Sequence, residues 1–112
     1  MEPQALLIAD AHAHIFPAKI AQKAVGAIGD FYSIPMCHPG SPQALLDSGS
    51  AIGVKKYLVC STATHPGQVV SINSFIRDCC GEHPEFLGFA TLHPDYQDIP
   101  GEVRRILEMG LR

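Results

Sequence analysis

The residues best suited to chemistry in this chain are two histidines, His12 and His14, in the stretch DAHAHIFP at residues 10–17. They follow the apolar run ALLIAD, residues 5–10, which is typical of a parallel strand covered on both faces. Because alternate side chains of an extended segment point to the same side, the two imidazoles project together from the carboxyl end of this strand. Parallel α/β folds place their chemistry at that end. The pair therefore predicts ligands for one divalent ion.

Two imidazoles do not complete such a site. Catalytic zinc sites have three protein ligands, so further donors must come from elsewhere in the fold. The alternative is that both rings only bind backbone groups at a turn between strand and helix. The buried strand before the pair, the neighbouring Asp10 and the small residues Ala11 and Ala13, which leave room around the rings, favour metal binding. No catalytic acid, base or nucleophile is identifiable within the chain.

The composition limits the class of protein. A length of 112 residues fits one domain or part of one. With 46% hydrophobic and 17% charged residues, a packed core is expected. A formal charge of −3 leaves no basic surface for nucleic acid or an anionic membrane. The first residues lack the features of a signal peptide, so a cytoplasmic protein is expected.

The four cysteines indicate reduced thiols. None of the spacings among Cys37, Cys60, Cys79 and Cys80 is C-x-x-C, so neither a disulfide framework nor a zinc ribbon is expected. We expect these thiols to be mostly buried. Cys60, near the end of the second predicted strand, is interpreted as a core residue and not a nucleophile, because the sequence identifies no base beside it.

Short apolar runs alternate with segments of helical periodicity, which predicts an α/β fold of about three parallel βα units. The predicted strands are residues 5–10, 55–62 and 86–92. The predicted helices are residues 17–31, 43–49, 66–80 and 100–110. Ser41 and Pro42 are suited to begin the second helix, and Gly110 to end the last one.

Each longer helix is expected to pack an apolar stripe against the sheet. These stripes comprise Ile20, Ala24, Val25 and Ile28 in the first helix, Val69, Ile72, Ile76 and Cys80 in the third, and Val103, Ile106 and Leu107 in the last. The charged residues of the last helix, Glu102, Arg104, Arg105 and Glu108, are expected to form its solvated face.

Three stretches of the sequence together resemble a known protein family. The stretch DAHAHIFP, taken with GFATLHP and the closing GEVRRILEMGLR, resembles the N-terminal part of the metal-dependent amidohydrolase superfamily, in its amidohydrolase-2 branch of TIM-barrel-like hydrolases and decarboxylases. The resemblance covers essentially the whole chain and implies the first part of a (β/α)8 barrel. PHP phosphoesterases and TatD-type nucleases also begin with a strand that ends in H-x-H. The residues IFP after the pair favour the amidohydrolase-2 branch.

The resemblance implies a role for each residue of the first strand. His12 and His14 would bind a catalytic zinc or similar ion, and Asp10 would lie behind these ligands without binding the metal. Such an ion would activate a water for attack on an amide, ester or lactone carbon, or polarise a carboxylated substrate toward loss of carbon dioxide. The histidine on a later strand and the aspartate near the end of the barrel have no counterpart here, so the site is about half specified.

The other histidines precede prolines, which often mark the end of a segment. His93 follows the third predicted strand and is the candidate for a substrate pocket, with His65 a weaker one. A strand terminator is the alternative for both. His38 lies in the proline-rich loop at residues 32–42, where it would form part of a pocket wall or remain solvated. The expected partner of such a pocket is a small molecule.

Three parallel strands leave open sheet edges, which favour self-association. A stable isolated chain would need a second copy or the remainder of a barrel. The alternative to a hydrolase is therefore a non-catalytic, oligomerising remnant of such a barrel.

Overall fold

The computed structural model describes residues 6–112, and these form one three-stranded parallel sheet with four α-helices. The strands are β1 (Ile8–His14), β2 (Val54–Cys60) and β3 (Phe86–Gly88). The helices are α1 (Ala18–Tyr32), α2 (Pro42–Ser50), α3 (Val69–Glu82) and α4 (Ile99–Glu108). The sheet order is β1, β2, β3, so each strand lies beside the next one in the sequence. The predicted α/β class with three parallel strands is confirmed.

Two helices, α2 and α3, pack on one face of the sheet. Tyr57 and Val59 of β2 are buried and pair with Phe86 and Gly88 of β3, so these four residues share a face. On that face Gly49 of α2 lies directly against the Tyr57 ring, and side chains of α3 lie directly against Gly88. The most buried side chains are Ile15, Tyr57, Val59, Val69, Asn73 and Ile76. The core therefore lies between the sheet and its helices.

The opposite face of the sheet is largely uncovered. Leu58 of β2 pairs with Leu87 of β3 on that face, and Leu87 is 42% exposed. The radius of gyration is 15.5 Å, against about 13 Å for a compact domain of 100 residues. Apolar strand residues are thus present on both faces, but helices cover only one of them.

The first predicted strand is displaced toward the histidines and is less buried than expected. Residue 5 lies outside the described residues, and β1 continues through His14 because its carboxyl half pairs with β2. Only Ala13 of β1 is buried, since β1 is an edge strand. The first predicted helical stripe is observed only in part. Ala24, Val25 and Ile28 are half-buried, but Ile20 is 40% exposed. Ala21 is the only fully buried residue of α1.

The third strand is shorter than residues 86–92. Thr91 leaves the strand ladder because the side chain of Asn73 in α3 binds its backbone on both sides. The Thr91 N–H donates to Asn73 Oδ1 at 2.8 Å, and Asn73 Nδ2 donates to the Thr91 carbonyl at 3.0 Å. The predicted helix at residues 66–80 is observed as a 3-10 turn, Pro66–Gln68, followed by α3.

Of the apolar face predicted for the last helix, only Ile106 is buried, and of the charges predicted to be solvated, Arg104 and Glu108 are exposed. Val103 and Leu107 are 38% and 67% exposed, whereas Glu102 and Ile106 are buried. Glu102 turns inward because Asn73 Nδ2 donates to its Oε1 at 2.9 Å and the Arg105 guanidinium binds both of its carboxylate oxygens. Glu102 and Arg105, which were predicted to be solvated, instead join α4 to α3.

The C-terminal residues add one more strand position to the sheet. Gly110 has a φ of +76° and ends α4 as predicted, where the Leu111 N–H donates to the Ile106 carbonyl. The Arg112 N–H then donates to the Gly88 carbonyl at 3.1 Å, and the Ala90 N–H donates to the Arg112 carbonyl at 2.7 Å. This is the hydrogen-bond pattern of parallel strands, so Arg112 lies beside β3 as a neighbouring strand would.

The Glu102 carboxylate predicts acid sensitivity. Hydrogen bonds from Arg105 lower the pKa of Glu102 below its ordinary value of 4.5. A lowered folded-state pKa gives stability that is complete above pH 4.5 and is lost as the pH falls through the folded value. Glu102→Gln should cost about 2 kcal/mol at pH 7, because it removes a buried charged partner of Arg105. Urea unfolding at pH 7 and at pH 3 measures both effects.

Glu108→Gln is the matched control, since Glu108 is an exposed residue of the same helix. It should leave the unfolding free energy within about 0.5 kcal/mol. Equal effects of the two substitutions would contradict the role given to Glu102.

Candidate metal centre

The structure brings the two predicted histidine rings together at the carboxyl end of β1. His12 Nε2 and His14 Nε2 are 3.0 Å apart, and the rings are inclined by 65°. Both residues are exposed, so a small ligand can reach them. The imidazoles therefore present two nitrogen atoms to one point.

A β-bulge in β1 affects the orientation of this histidine pair. Asp10 pairs with Tyr57, and Ala13 pairs with Val59. Between these two pairs, β1 advances by three residues and β2 by two. The additional residue lies in the segment that contains His12, and bulges of this kind redirect side chains. Asp10 stabilises the segment because its Oδ1 accepts the His12 backbone N–H at 3.1 Å. Its carboxylate thus binds the backbone of a predicted ligand, and in residues 6–112 it forms no hydrogen bond to an imidazole.

Cys60 is the residue that sequence reasoning missed. It pairs with His14 across the two strands, and its Sγ lies 3.5 Å from His14 Nδ1. Cys60 is half-buried, and the structure places beside it an imidazole that the sequence did not identify. That it is not a nucleophile stays a prediction. The only signal in the sequence was the position of both residues at the ends of their strands. A single sequence does not show which residues of two strands pair with each other.

The donor atoms of His12, His14 and Cys60 all lie within 4.8 Å of one another, so the three residues can hold a metal ion. Two nitrogens and one sulfur suit ions of intermediate softness, among which zinc is the common one in proteins. Tetrahedral zinc with Zn–N bonds of 2.0–2.1 Å separates two nitrogens by roughly 3.3 Å, close to the 3.0 Å found here. Three protein ligands would leave a fourth position for water or substrate.

The surroundings of His14 and of Cys60 shift the pKa values of these two side chains in opposite directions. Partial desolvation of its ring and the neighbouring His12 lower the pKa of His14, against the opposing effect of a hydrogen bond to the Cys60 backbone. His14 is thus neutral at pH 7, which is the form that binds metals. Burial raises the pKa of the Cys60 thiol, so a metal ion that binds there must release a proton.

A cavity of about 240 Å³ adjoins the histidine pair. It lies between β1, the loop at residues 33–41 and α2, and His38 lines it together with His12 and His14. Ser41 begins α2 as predicted, since its Oγ accepts the Ala44 N–H at 3.1 Å. His38 lines the cavity and is also exposed, so the structure agrees with both expectations for it.

His93 lies elsewhere and does not line this cavity. Its Nδ1 accepts the backbone N–H of Asp95 at 3.1 Å, and His65 Nδ1 accepts that of Gly67 at 3.0 Å. Both histidines therefore fold the H-P turns that follow β2 and β3. A substrate contact of His93 stays a prediction and would use its Nε2.

The other three cysteines lie outside the centre. All four cysteines are free, as predicted, but their burial differs from the expectation. Cys79 is buried, Cys80 is half-buried and Cys37 is exposed. Cys80 thus offers a thiol whose burial resembles that of Cys60.

Comparison of the chain with protein-family models, with curated proteins and with solved structures finds no match. None of the helices within residues 6–112 combines the length and the apolar character needed to cross a membrane. The function is therefore argued from the geometry of the centre and of the sheet.

The centre predicts stoichiometric metal binding. The chain should bind one Co²⁺ ion with a sulfur-to-cobalt charge-transfer band, because Cys60 supplies a thiolate. His12→Ala, His14→Ala and Cys60→Ser should each weaken binding at least tenfold, and Cys60→Ser should abolish the band. Absorption titration of each variant measures both quantities.

Cys80→Ser is the control, because it removes a half-buried thiol outside the centre. It should retain the band and the Co²⁺ affinity of the unsubstituted chain. A band that survives in Cys60→Ser and disappears in Cys80→Ser would contradict the assignment.

The turn at His93 gives a separate prediction. His93→Ala should lower the unfolding free energy by about 1 kcal/mol, because the Asp95 N–H loses its acceptor. His93→Asn should restore most of this loss, since asparagine also accepts from the backbone two residues later. Urea unfolding measures the difference, and equal stabilities of the two variants would refute the turn role.

Proposed function

We propose that this chain is the N-terminal portion of a metal-dependent hydrolase of the amidohydrolase type, which hydrolyses C–N or C–O bonds or decarboxylates its substrate. The observation that carries the proposal is the meeting of three donor atoms, from His12, His14 and Cys60, at the carboxyl ends of two adjacent parallel strands. That end of the strands is where (β/α)8 barrels hold their active sites.

The architecture of the sheet supports the same proposal. Parallel strands in sequential order, with α2 and α3 on one face, resemble the repeating unit of a singly wound barrel. The uncovered face that contains Leu58 and Leu87 corresponds to the barrel interior, which is filled with branched side chains. The strand-like hydrogen bonds of Arg112 continue the order on the outer side of β3.

The donor set favours zinc as the cofactor. When bound, zinc would lower the pKa of a coordinated water and polarise a substrate carbonyl. His12 and His14 would hold it as neutral nitrogen donors, and Cys60 would add one negative charge as a thiolate. Cys60 is not among the ligands implied by the resemblance, so it departs from that pattern while supplying a third donor. The proposed setting is the cytoplasm, with a small molecule as substrate.

Turnover tests the proposal. The zinc-loaded chain should bind its metal and still hydrolyse p-nitrophenyl acetate, a lactone and a dipeptide no faster than free zinc does, because three strands neither enclose the site nor supply an identifiable general base. Absence of metal binding would refute the metal centre, and rapid turnover by this chain alone would refute the incomplete site. Preferential cleavage of bis-p-nitrophenyl phosphate would favour the PHP or TatD-type alternative.

The uncovered sheet face favours one second candidate, a non-catalytic module that oligomerises. Leu87→Lys should raise the monomer fraction in sedimentation equilibrium, because it places a charge on the exposed apolar face. Leu107→Lys, at an exposed position of α4, is the control and should leave the association unchanged. Equal association of the two variants would contradict a role of this face.

Thermal unfolding with and without zinc separates the two candidates. Zinc should raise the Tm of the unsubstituted chain and not that of His12→Ala/His14→Ala if the hydrolase proposal holds. A Tm that neither zinc nor the double substitution changes would favour the non-catalytic module.

A further inference from the structure

The cavity beside the metal centre contains one more side chain able to take part in chemistry. His38 lines it together with His12 and His14. Within residues 6–112, the group of mutually close donor atoms comprises His12, His14 and Cys60 and does not include His38. His38 therefore shares the cavity with the centre but lies outside its ligand set.

Two anchors hold the loop that carries His38. The Gly40 carbonyl accepts the Phe16 N–H at 2.9 Å, and Phe16 follows His14 by only two residues. Immediately after Gly40, Ser41 caps α2, so both anchors hold the C-terminal end of the loop, next to His38. His38 thus lies two residues before a point that is bonded to the strand bearing the ligands.

Gly40 makes the first anchor possible. Its φ is +79°, and an added Cβ would approach Val25 Cγ2 to 2.7 Å and Phe16 Cδ2 to 3.0 Å. Only glycine combines this backbone conformation with such close packing. Between the anchor and His38, Pro39 restricts the backbone of His38 to extended conformations. The loop is therefore built to hold an imidazole beside the cavity.

We propose that this cavity receives the substrate and that His38 contacts it there, beside the candidate metal centre. This inference rests on the proposed function, because two of the residues that line the cavity, His12 and His14, are the proposed metal ligands. The volume of about 240 Å³ admits a small molecule or the reacting end of a larger one. An imidazole can accept or donate a hydrogen bond, so the substrate class is a compact polar molecule with a carbonyl or carboxylate group.

Co²⁺ spectroscopy with azide as a small anionic probe tests this contact without a known substrate. His38→Ala should leave the Co²⁺ affinity within about twofold, because His38 is not in the ligand set. It should weaken azide binding to the Co²⁺ protein about tenfold, the loss expected for one hydrogen bond to a charged group. His38→Gln should restore part of the azide affinity, since its amide can still donate.

His83→Ala is the matched control, because His83 also precedes a proline and lies just before β3, at the opposite end of the strands. It should change neither affinity. A loss of Co²⁺ affinity in His38→Ala would make His38 a metal ligand and overturn the proposal. Unchanged azide binding in that variant would also overturn it. Failure of the unsubstituted chain to bind Co²⁺ would refute the proposed function and the substrate contact together.

Discussion

The pairing of β1 with β2 is the constraint on which the candidate site depends. It places His14 beside Cys60, and the bulge between Asp10 and Ala13 adjusts the position of His12. The pairing brings the sulfur of Cys60 to the histidines, and the bulge lies in the segment that contains His12, where bulges redirect side chains. The register between β1 and β2 therefore decides which side chains meet at the candidate site.

A buried polar cluster, Asn73 with Glu102 and Thr91, joins the helices to the ends of the strands. Thr91 Oγ1 accepts the Ala63 N–H at 3.1 Å, so the segments after β2 and β3 are connected to each other. Asn73 binds the Thr91 backbone and also Glu102, which Arg105 pairs. Each buried polar side chain in this cluster has a partner, as stable interiors require. Residues far from the candidate metal centre thus hold in place the end of the sheet at which that centre lies.

The sequence predicted what depends on local pattern and missed what depends on long-range contact. The H-x-H pair, the Ser41 cap and the Gly110 terminus follow from neighbouring residues, and all three appear where expected. The imidazole beside Cys60 was missed because it is 46 positions away. Glu102 was assigned to solvent because helical periodicity does not show that a buried asparagine on another helix will bind a carboxylate.

The position of the candidate centre on an edge strand would couple metal binding to folding. β1 has one neighbour in the sheet, and only Ala13 among its residues is buried, so burial contributes little to its attachment. An ion bound by His12 and His14 on β1 and by Cys60 on β2 would cross-link the two strands and close a loop of 46 positions. Such a link stabilises the folded state by the free energy of metal binding. The same ion would then support the chemistry and secure the strand that carries most of its ligands.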